Sequence, residues 1–303
     1  MSTLTILLYH GVTDKKDNGI INYSNKHMHV SKFERQMKYI KKNCNILSID
    51  EVVNFNINNK KWPKKSVLVT FDDGFKNNYT TACPVLDNLK IPAIFYICAG
   101  MIGSNKMFWV DEIESCINFS KNKSFFLNLE KNLKIILKNK KDKIFYLNKI
   151  KQFCKKTTSL KKNLIIKDLI KKTKVNPSNT QSENYKVMNW NEVKKIDKNP
   201  LFTIGGHTLF HDIMSSQSLS AVNYDIKETI KILKNKLNHN IEHFSYPEGQ
   251  KIHFNDKIIK LLKKNKIVCS PSAIHGINSK NANLFKLKRI MPGFMGRHFP
   301  ISF

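Results

Sequence analysis

Apolar runs that lack any polar alternation constrain this chain more than its other features. Thr3–Tyr9, Ser66–Phe71 and residues 93–98 read TLTILLY, SVLVTF and AIFYIC. Strands of this kind are buried on both faces, as in a parallel sheet covered by helices. Helical periods lie between them. Phe33, Met37 and Ile40 follow Ser31-Lys-Phe-Glu34, and Val52, Val53 and Phe55 follow Ser48-Ile-Asp-Glu51. Both tetrapeptides are capping-box patterns. A further helix is expected over 78–89, disturbed by Pro84. The rhythm resumes late in the chain, with strands expected over 201–204, 241–246, 267–270 and 285–290. Helices are expected over 220–237 and Asp256–Lys264.

The middle differs in character. Residues 121–174 hold 18 lysines against Glu130, Asp142 and Asp168, a net of +15 out of +29 for the whole 303-residue chain. Leu127, Leu129, Leu133, Ile136 and Leu137, then Ile144, Leu147 and Ile150, keep a roughly helical period. That pattern predicts an amphipathic, lysine-rich helical insertion over 104–187, set inside a single barrel domain spanning 1–303. Lysine supplies nearly all the basic charge: Arg35, Arg289 and Arg297 are the only arginines. Nucleic-acid readers rely on arginine for bidentate contacts, so a nucleic-acid partner is not expected. Two readings of the lysine excess stand open at this point, a compositional bias and a docking surface for anionic membrane.

The six cysteines form no C-x-x-C pair and read as reduced, buried thiols. The apolar run at residues 4–9 is shorter than the roughly 7–15 residues of a signal peptide, and no basic residue precedes it. The expectation is a cytoplasmic protein, peripheral at the inner face of the membrane if the lysines dock there.

Polar clusters follow the expected strands: His10, then Asp72-Asp73, then His207 with His211, then Pro247-Glu248-Gly249. In a parallel α/β barrel the carboxyl ends of the strands share one face, and residues distant in sequence converge there. Alone, Asp72-Asp73-Gly74 is also an ordinary turn. A chain with ten histidines can also produce H-x-x-x-H by chance. On a helical turn, two histidines four apart share one face and can hold one ion. Together the clusters supply a carboxylate and two imidazoles, a ligand set for a catalytic divalent metal with open positions. The adjacent carboxylate is then left to act as a base.

Thr70-Phe-Asp-Asp-Gly74 and His207-Thr-Leu-Phe-His211 resemble the first two motifs of the polysaccharide deacetylase family, with its NodB-homology domain. Phe244-Ser-Tyr-Pro-Glu-Gly249 is similar to the third. Leu8-Tyr-His-Gly11, Pro63 and Leu287-Lys-Arg-Ile290 agree with it as well, and 104–187 is the least covered stretch. The resemblance implies an α/β fold, a distorted parallel (β/α) barrel of about seven strands. It also implies metal-dependent removal of an N-acetyl group from an amino sugar, in a glycan or in a lipid- or nucleotide-linked precursor. The alternatives are hydrolysis of a non-sugar amide on the same fold and a catalytically silent barrel that binds anionic membrane.

Carried over by position, the resemblance makes Asp73, His207 and His211 the metal ligands and Asp72 the general base. A backbone N–H at Glu248 would support the oxyanion. The ion expected is zinc, with cobalt, nickel or manganese able to occupy the same set. The chain departs from the family where Ser245 stands in place of an arginine and Glu248 in place of an aromatic residue. For the Leu-x-His motif that supplies a general acid, His275 is the nearest candidate, with His10 and His298 behind it. His10, Tyr246, Pro247 and Arg289 are the candidate substrate contacts.

Overall fold

The computed structural model describes residues 3–300. They divide into two compact units, each described by itself below. The first comprises the chain up to Asp14, Ser24–Ser104, and the chain from Val187 onward. The second comprises Lys15–Tyr23 and Asn105–Lys186.

The first unit is built on a parallel sheet. Thr3–Tyr9 pairs with Ser66–Phe71, which pairs with Ala93–Ile97, which pairs with Phe202–Gly206. Three irregular segments continue the sequence of neighbours. Gly206 bridges to Phe244, and His243 bridges to Cys269. The Ser270 N–H donates to the Leu284 carbonyl (3.0 Å) and the Ser272 N–H to that of Leu287 (2.8 Å). The Leu8 N–H then donates to the Ile290 carbonyl and the Ile290 N–H to that of Ile6, both at 2.8 Å. Seven segments thus form a ring, a distorted α/β barrel.

Three of the expected strands, 241–246, 267–270 and 285–290, are held mainly by single bridges and loop hydrogen bonds. Pro247 and Pro271 lack the N–H that a regular ladder would use at their ends. Close approach at the fourth strand requires glycine. A Cβ on Gly206 would lie 2.7 Å from the Phe244 ring.

Side chains alternate between two surroundings. Val69, Phe71, Phe95, Phe202 and Ile204 pack with the helices in one cluster, where the Phe71 and Phe95 rings stack at 4.8 Å. Leu4, Ile6, Leu68, Ile94, Tyr96, Cys269 and Leu287 share a second cluster drawn from five barrel segments, which fills the interior. This period of two decides which residues beyond each strand end turn inward.

The helices obey their local signals with one exception. Ser48 and Glu51 form the expected capping box on Ile49–Ile57. Ser31 caps nothing. His29 is the cap of Val30–Asn43, accepting from the Ser31 N–H, while Glu34 pairs with Lys38 at 2.7 Å. The segment over 78–89 splits at Cys83 into a wide turn, Asn78–Ala82, and a short helix, Cys83–Asn88, with Pro84 in its first turn.

The second unit corrects part of the sequence reading. Residues expected to continue a helical period form an antiparallel hairpin, Ser124–Asn128 with Asn132–Ile136, in which Leu127 faces Leu133. Leu127 and Ile135 are buried while Phe126 is exposed, a period of two that short β-rich runs share with ambiguous helical spacing. Helices Trp109–Asn118, Lys140–Cys154 and Ser159–Thr173 complete the unit. Lys15–Tyr23 is held to it through buried Glu114, whose Oε1 accepts from the Asn22 N–H (2.7 Å) and the Tyr185 hydroxyl (2.5 Å). Lys151 pairs with Glu114 Oε2 at 3.0 Å.

Replacing Gly206 with Ala should cost about 1–3 kcal/mol, the usual penalty of overpacking. Urea unfolding reads it directly, and an unchanged midpoint would show that the barrel can widen there.

Candidate metal centre

The pleat sets the site before any chemistry does. Leu4, Ile6 and Leu68 face the barrel interior, so His10 and Asp72 continue the inward positions of the first two strands. The Asp72 N–H still pairs with the Tyr9 carbonyl (3.0 Å), and the Cys98 N–H with that of Asp73 (3.3 Å). Asp73 then takes a left-handed backbone, φ 79°, and Gly74 follows at 91°. This twist brings two successive carboxylates to the same end of the barrel.

The histidines converge on Asp73. His207 Nε2 lies 3.6 Å and His211 Nε2 3.4 Å from Asp73 Oδ1. The three ligand atoms lie within 4.8 Å of one another, and all three residues are buried. The His-x-x-x-His run is not a helical turn, contrary to the sequence expectation. It is an irregular loop after Phe202–Gly206, with left-handed Thr208 (66°) and His211 (59°). A β-branched residue at positive φ is uncommon, and such strain persists where the surroundings over-determine it.

The donor set fits a divalent ion. The His207 Nδ1 N–H donates to the Ser245 carbonyl at 2.8 Å, which fixes the tautomer and leaves Nε2 for the ion. Burial lowers the His207 pKa against the opposing pull of Asp72, which favours the neutral imidazole that ligation needs.

Asp72 is engaged elsewhere. Arg289 donates Nη1 to Oδ1 (2.8 Å) and Nη2 to Oδ2 (2.7 Å), a bidentate pair with both partners buried. Its Nε goes to the Ser272 carbonyl (2.6 Å), Nη1 also to Thr70 Oγ1 and Nη2 to Ser245 Oγ (both 3.2 Å). All five guanidinium N–H groups are thereby used within the protein. Arg289 is therefore not a substrate contact. It takes the place of the arginine missing at Ser245 and clamps the Asp72 carboxylate. Burial pushes the Asp72 carboxyl up, but Arg289 and then His207 outweigh it and hold the pKa below the usual range.

The remaining candidates divide. The Tyr246 ring stacks on Phe254 at 4.2 Å and its hydroxyl donates to the Phe285 carbonyl (3.0 Å). Tyr246 is fully buried and Pro247 is buried beside it, so these side chains serve the core rather than a substrate. Glu248 is half-buried with left-handed backbone, φ 60°. His275 is exposed on a loop and His298 is exposed near the C-terminus.

His10 is drawn toward the site instead. It is partly exposed, its backbone carbonyl accepts from Asn78 Nδ2 at 2.6 Å, and its Nδ1 is buried without a hydrogen-bond partner. Burial drives the imidazole down to about 3, with the Asp72 charge opposing. Leu8-Tyr9-His10 itself reads Leu-x-His. That signal lies at the first strand rather than near the chain's end, where His275 was found.

Two carboxylates at one end of an α/β barrel, one clamped by Arg289 and one facing a pair of histidines, make a candidate metal site. The comparisons agree on the family. The polysaccharide deacetylase model matches residues 59–124 and 164–269, more than half of the chain, and the chain belongs to that family. A poly-β-1,6-N-acetyl-D-glucosamine N-deacetylase of Staphylococcus aureus (strain MSSA476) is 35% identical over 95 residues. That match spans 31% of this chain and 31% of the relative's length. Among solved structures, the Streptococcus pyogenes deacetylase PplD in complex with acetate superposes with a TM-score of 0.62 at 18% identity, covering 96% of this chain and 92% of that one. IcaB from Ammonifex degensii gives 0.62 at 17% identity, with the same coverage. These likenesses establish the fold.

Arg289→Gln should destabilise the protein by about 3–5 kcal/mol, because it strands a buried charge. Asp72 is depressed in the folded protein, so its contribution is present above the unfolded carboxylate pKa and is lost as pH falls through the lower folded value. Without Arg289, burial dominates and lifts the folded Asp72 pKa above the unfolded value, so the sign reverses and stability should be lost as pH rises. Denaturant midpoints measured from pH 3 to 7 check this. Parallel pH profiles for both proteins would contradict the clamp.

Proposed function

We propose that this chain is a metal-dependent hydrolase that removes an N-acetyl group from an amino sugar in a glycan. The carrying observation is the division of labour between neighbours: Asp73 faces His207 and His211, while Asp72 is clamped by Arg289. Asp73, His207 and His211 would hold a divalent ion, zinc by the donor set, and that ion would supply an acidified water and a polarised amide carbonyl. Asp72, kept ionised by Arg289, accepts the proton from the attacking water. His10 is the proton donor to the leaving amine. Burial keeps it neutral at rest, and the nearby Asp72 charge is the influence that favours its taking up a proton to pass on. The backbone N–H of Glu248 supports the developing oxyanion. The partial match to the staphylococcal enzyme supports N-acetylglucosamine polymers as the substrate class. Lipid-linked and nucleotide-linked precursors are the substrates to compare with them.

Acetate release from that panel, after chelation and zinc add-back, tests the reading. Activity should vanish on chelation and return with zinc. No acetate from any donor would contradict it. Asp72→Asn should keep zinc affinity within about tenfold while losing most of kcat. His10→Ala should lower kcat by about 10²–10⁴, and His275→Ala should leave it unchanged. A large loss in the His275 variant, with none at His10, would reverse the assignment of the acid.

The lysine-rich unit is proposed as a docking surface for anionic membrane. Phe126, Phe145, Leu160 and Leu164 are each more than half exposed among its lysines, the mixture that suits a lipid interface. Binding to phosphatidylglycerol vesicles should weaken steeply with salt and be absent for neutral vesicles. If the protein ignores anionic vesicles at low salt, the charge is compositional.

A further inference from the structure

The loop that carries both histidines is strapped along its length. The His207 N–H donates to the Ile97 carbonyl (3.0 Å), the Ala99 N–H to Thr208 (3.2 Å) and the Gly100 N–H to Leu209 (3.0 Å). The Leu209 N–H, midway between the histidines, goes to a side chain instead. It donates to both oxygens of Asp225, at 3.1 and 3.3 Å. Asp225 comes from a different element, the helix Leu219–Leu237, and its Oδ1 also accepts from the hydroxyl of fully buried Thr229 (3.2 Å).

We infer that Asp225 is a positioning residue for the metal centre: through the Leu209 N–H it fixes the turn between His207 and His211, and so sets the affinity for the ion. The inference rests on the reading of those histidines and Asp73 as ligands. Thr208 and His211 both sit at positive φ. Such a backbone relaxes unless something holds it. A carboxylate bonded to a backbone N–H is a strong tether, because the acceptor is charged. Removing it leaves a peptide N–H without its acceptor in a largely buried loop, and the favoured response is for the turn to rearrange. Either histidine would then leave the position it now holds beside Asp73 Oδ1. Thr229 orients the tether from one helical turn away.

Zinc dissociation constants from chelator competition test this, with unfolding midpoints of the chelated proteins measured alongside. Asp225→Ala should bind zinc about 10–100-fold more weakly, as expected when a partner of the ligand shell is lost. Asp225→Asn keeps an acceptor oxygen without the charge and should recover part of the affinity. Thr229→Val should weaken binding several-fold. The metal-free midpoints should fall far less than the zinc affinity, which a merely structural role would not produce. If Asp225→Ala does not fold, the Asn and Val variants carry the test. Affinities within twofold of wild type in all variants that fold overturn the inference alone. A wild type that binds no zinc overturns it together with the reading beneath it.

Discussion

The buried pair between Arg289 and Asp72 is the interaction on which the rest of the site depends. It joins the last barrel segment to the second, at distances of 2.7 and 2.8 Å. Neither charge could be buried alone, since an unpaired ion in a protein interior costs several kcal/mol. Once paired, the guanidinium occupies both Asp72 oxygens and turns that carboxylate away from ligand duty. Asp73, one residue on and in a left-handed conformation, is left to face the histidines. Two adjacent residues of one type thus acquire different chemistry from their surroundings.

Above that pair, the pleat does most of the placing. His10, Asp72, His207, Ser245 and Arg289 come from five barrel segments, and each stands at a position whose parity turns it inward. Glycines at 205 and 206 let the fourth strand approach its neighbours closely enough for the His207 ring Nδ1 to reach the Ser245 carbonyl. The helices outside contribute through tethers: Asn78 holds the His10 carbonyl, and Asp225 holds the loop at Leu209. Barrel and helices therefore act on the site through named hydrogen bonds as well as by packing.

Much of this was legible in the sequence, because buried parallel strands write continuous apolar runs and the polar clusters follow their ends. Asp72, Asp73, His207 and His211 could be singled out on that basis. Three things could not be. The role of Arg289 depends on a contact across 217 residues, and an arginine near a strand end gives no sign of whether it is buried. The hairpin over 124–136 was hidden because leucines at 127, 129 and 133 fit a helical period as well as an alternating one. The helical expectation for His207 and His211 failed because spacing alone does not reveal the left-handed turn at Thr208.

The central claim is that Asp73, His207 and His211 hold one divalent ion, with nitrogen and oxygen donors only. An X-ray absorption spectrum of the zinc-loaded protein tests this most directly. The account predicts one zinc per chain, two imidazole signatures, and a first shell of nitrogen and oxygen at about 2.0–2.2 Å. Cys98 lies close by, its thiol donating to the His207 carbonyl at 3.1 Å, so a sulfur ligand is the specific rival. A sulfur shell near 2.3 Å, or a spectrum without imidazole scattering, would contradict the assignment.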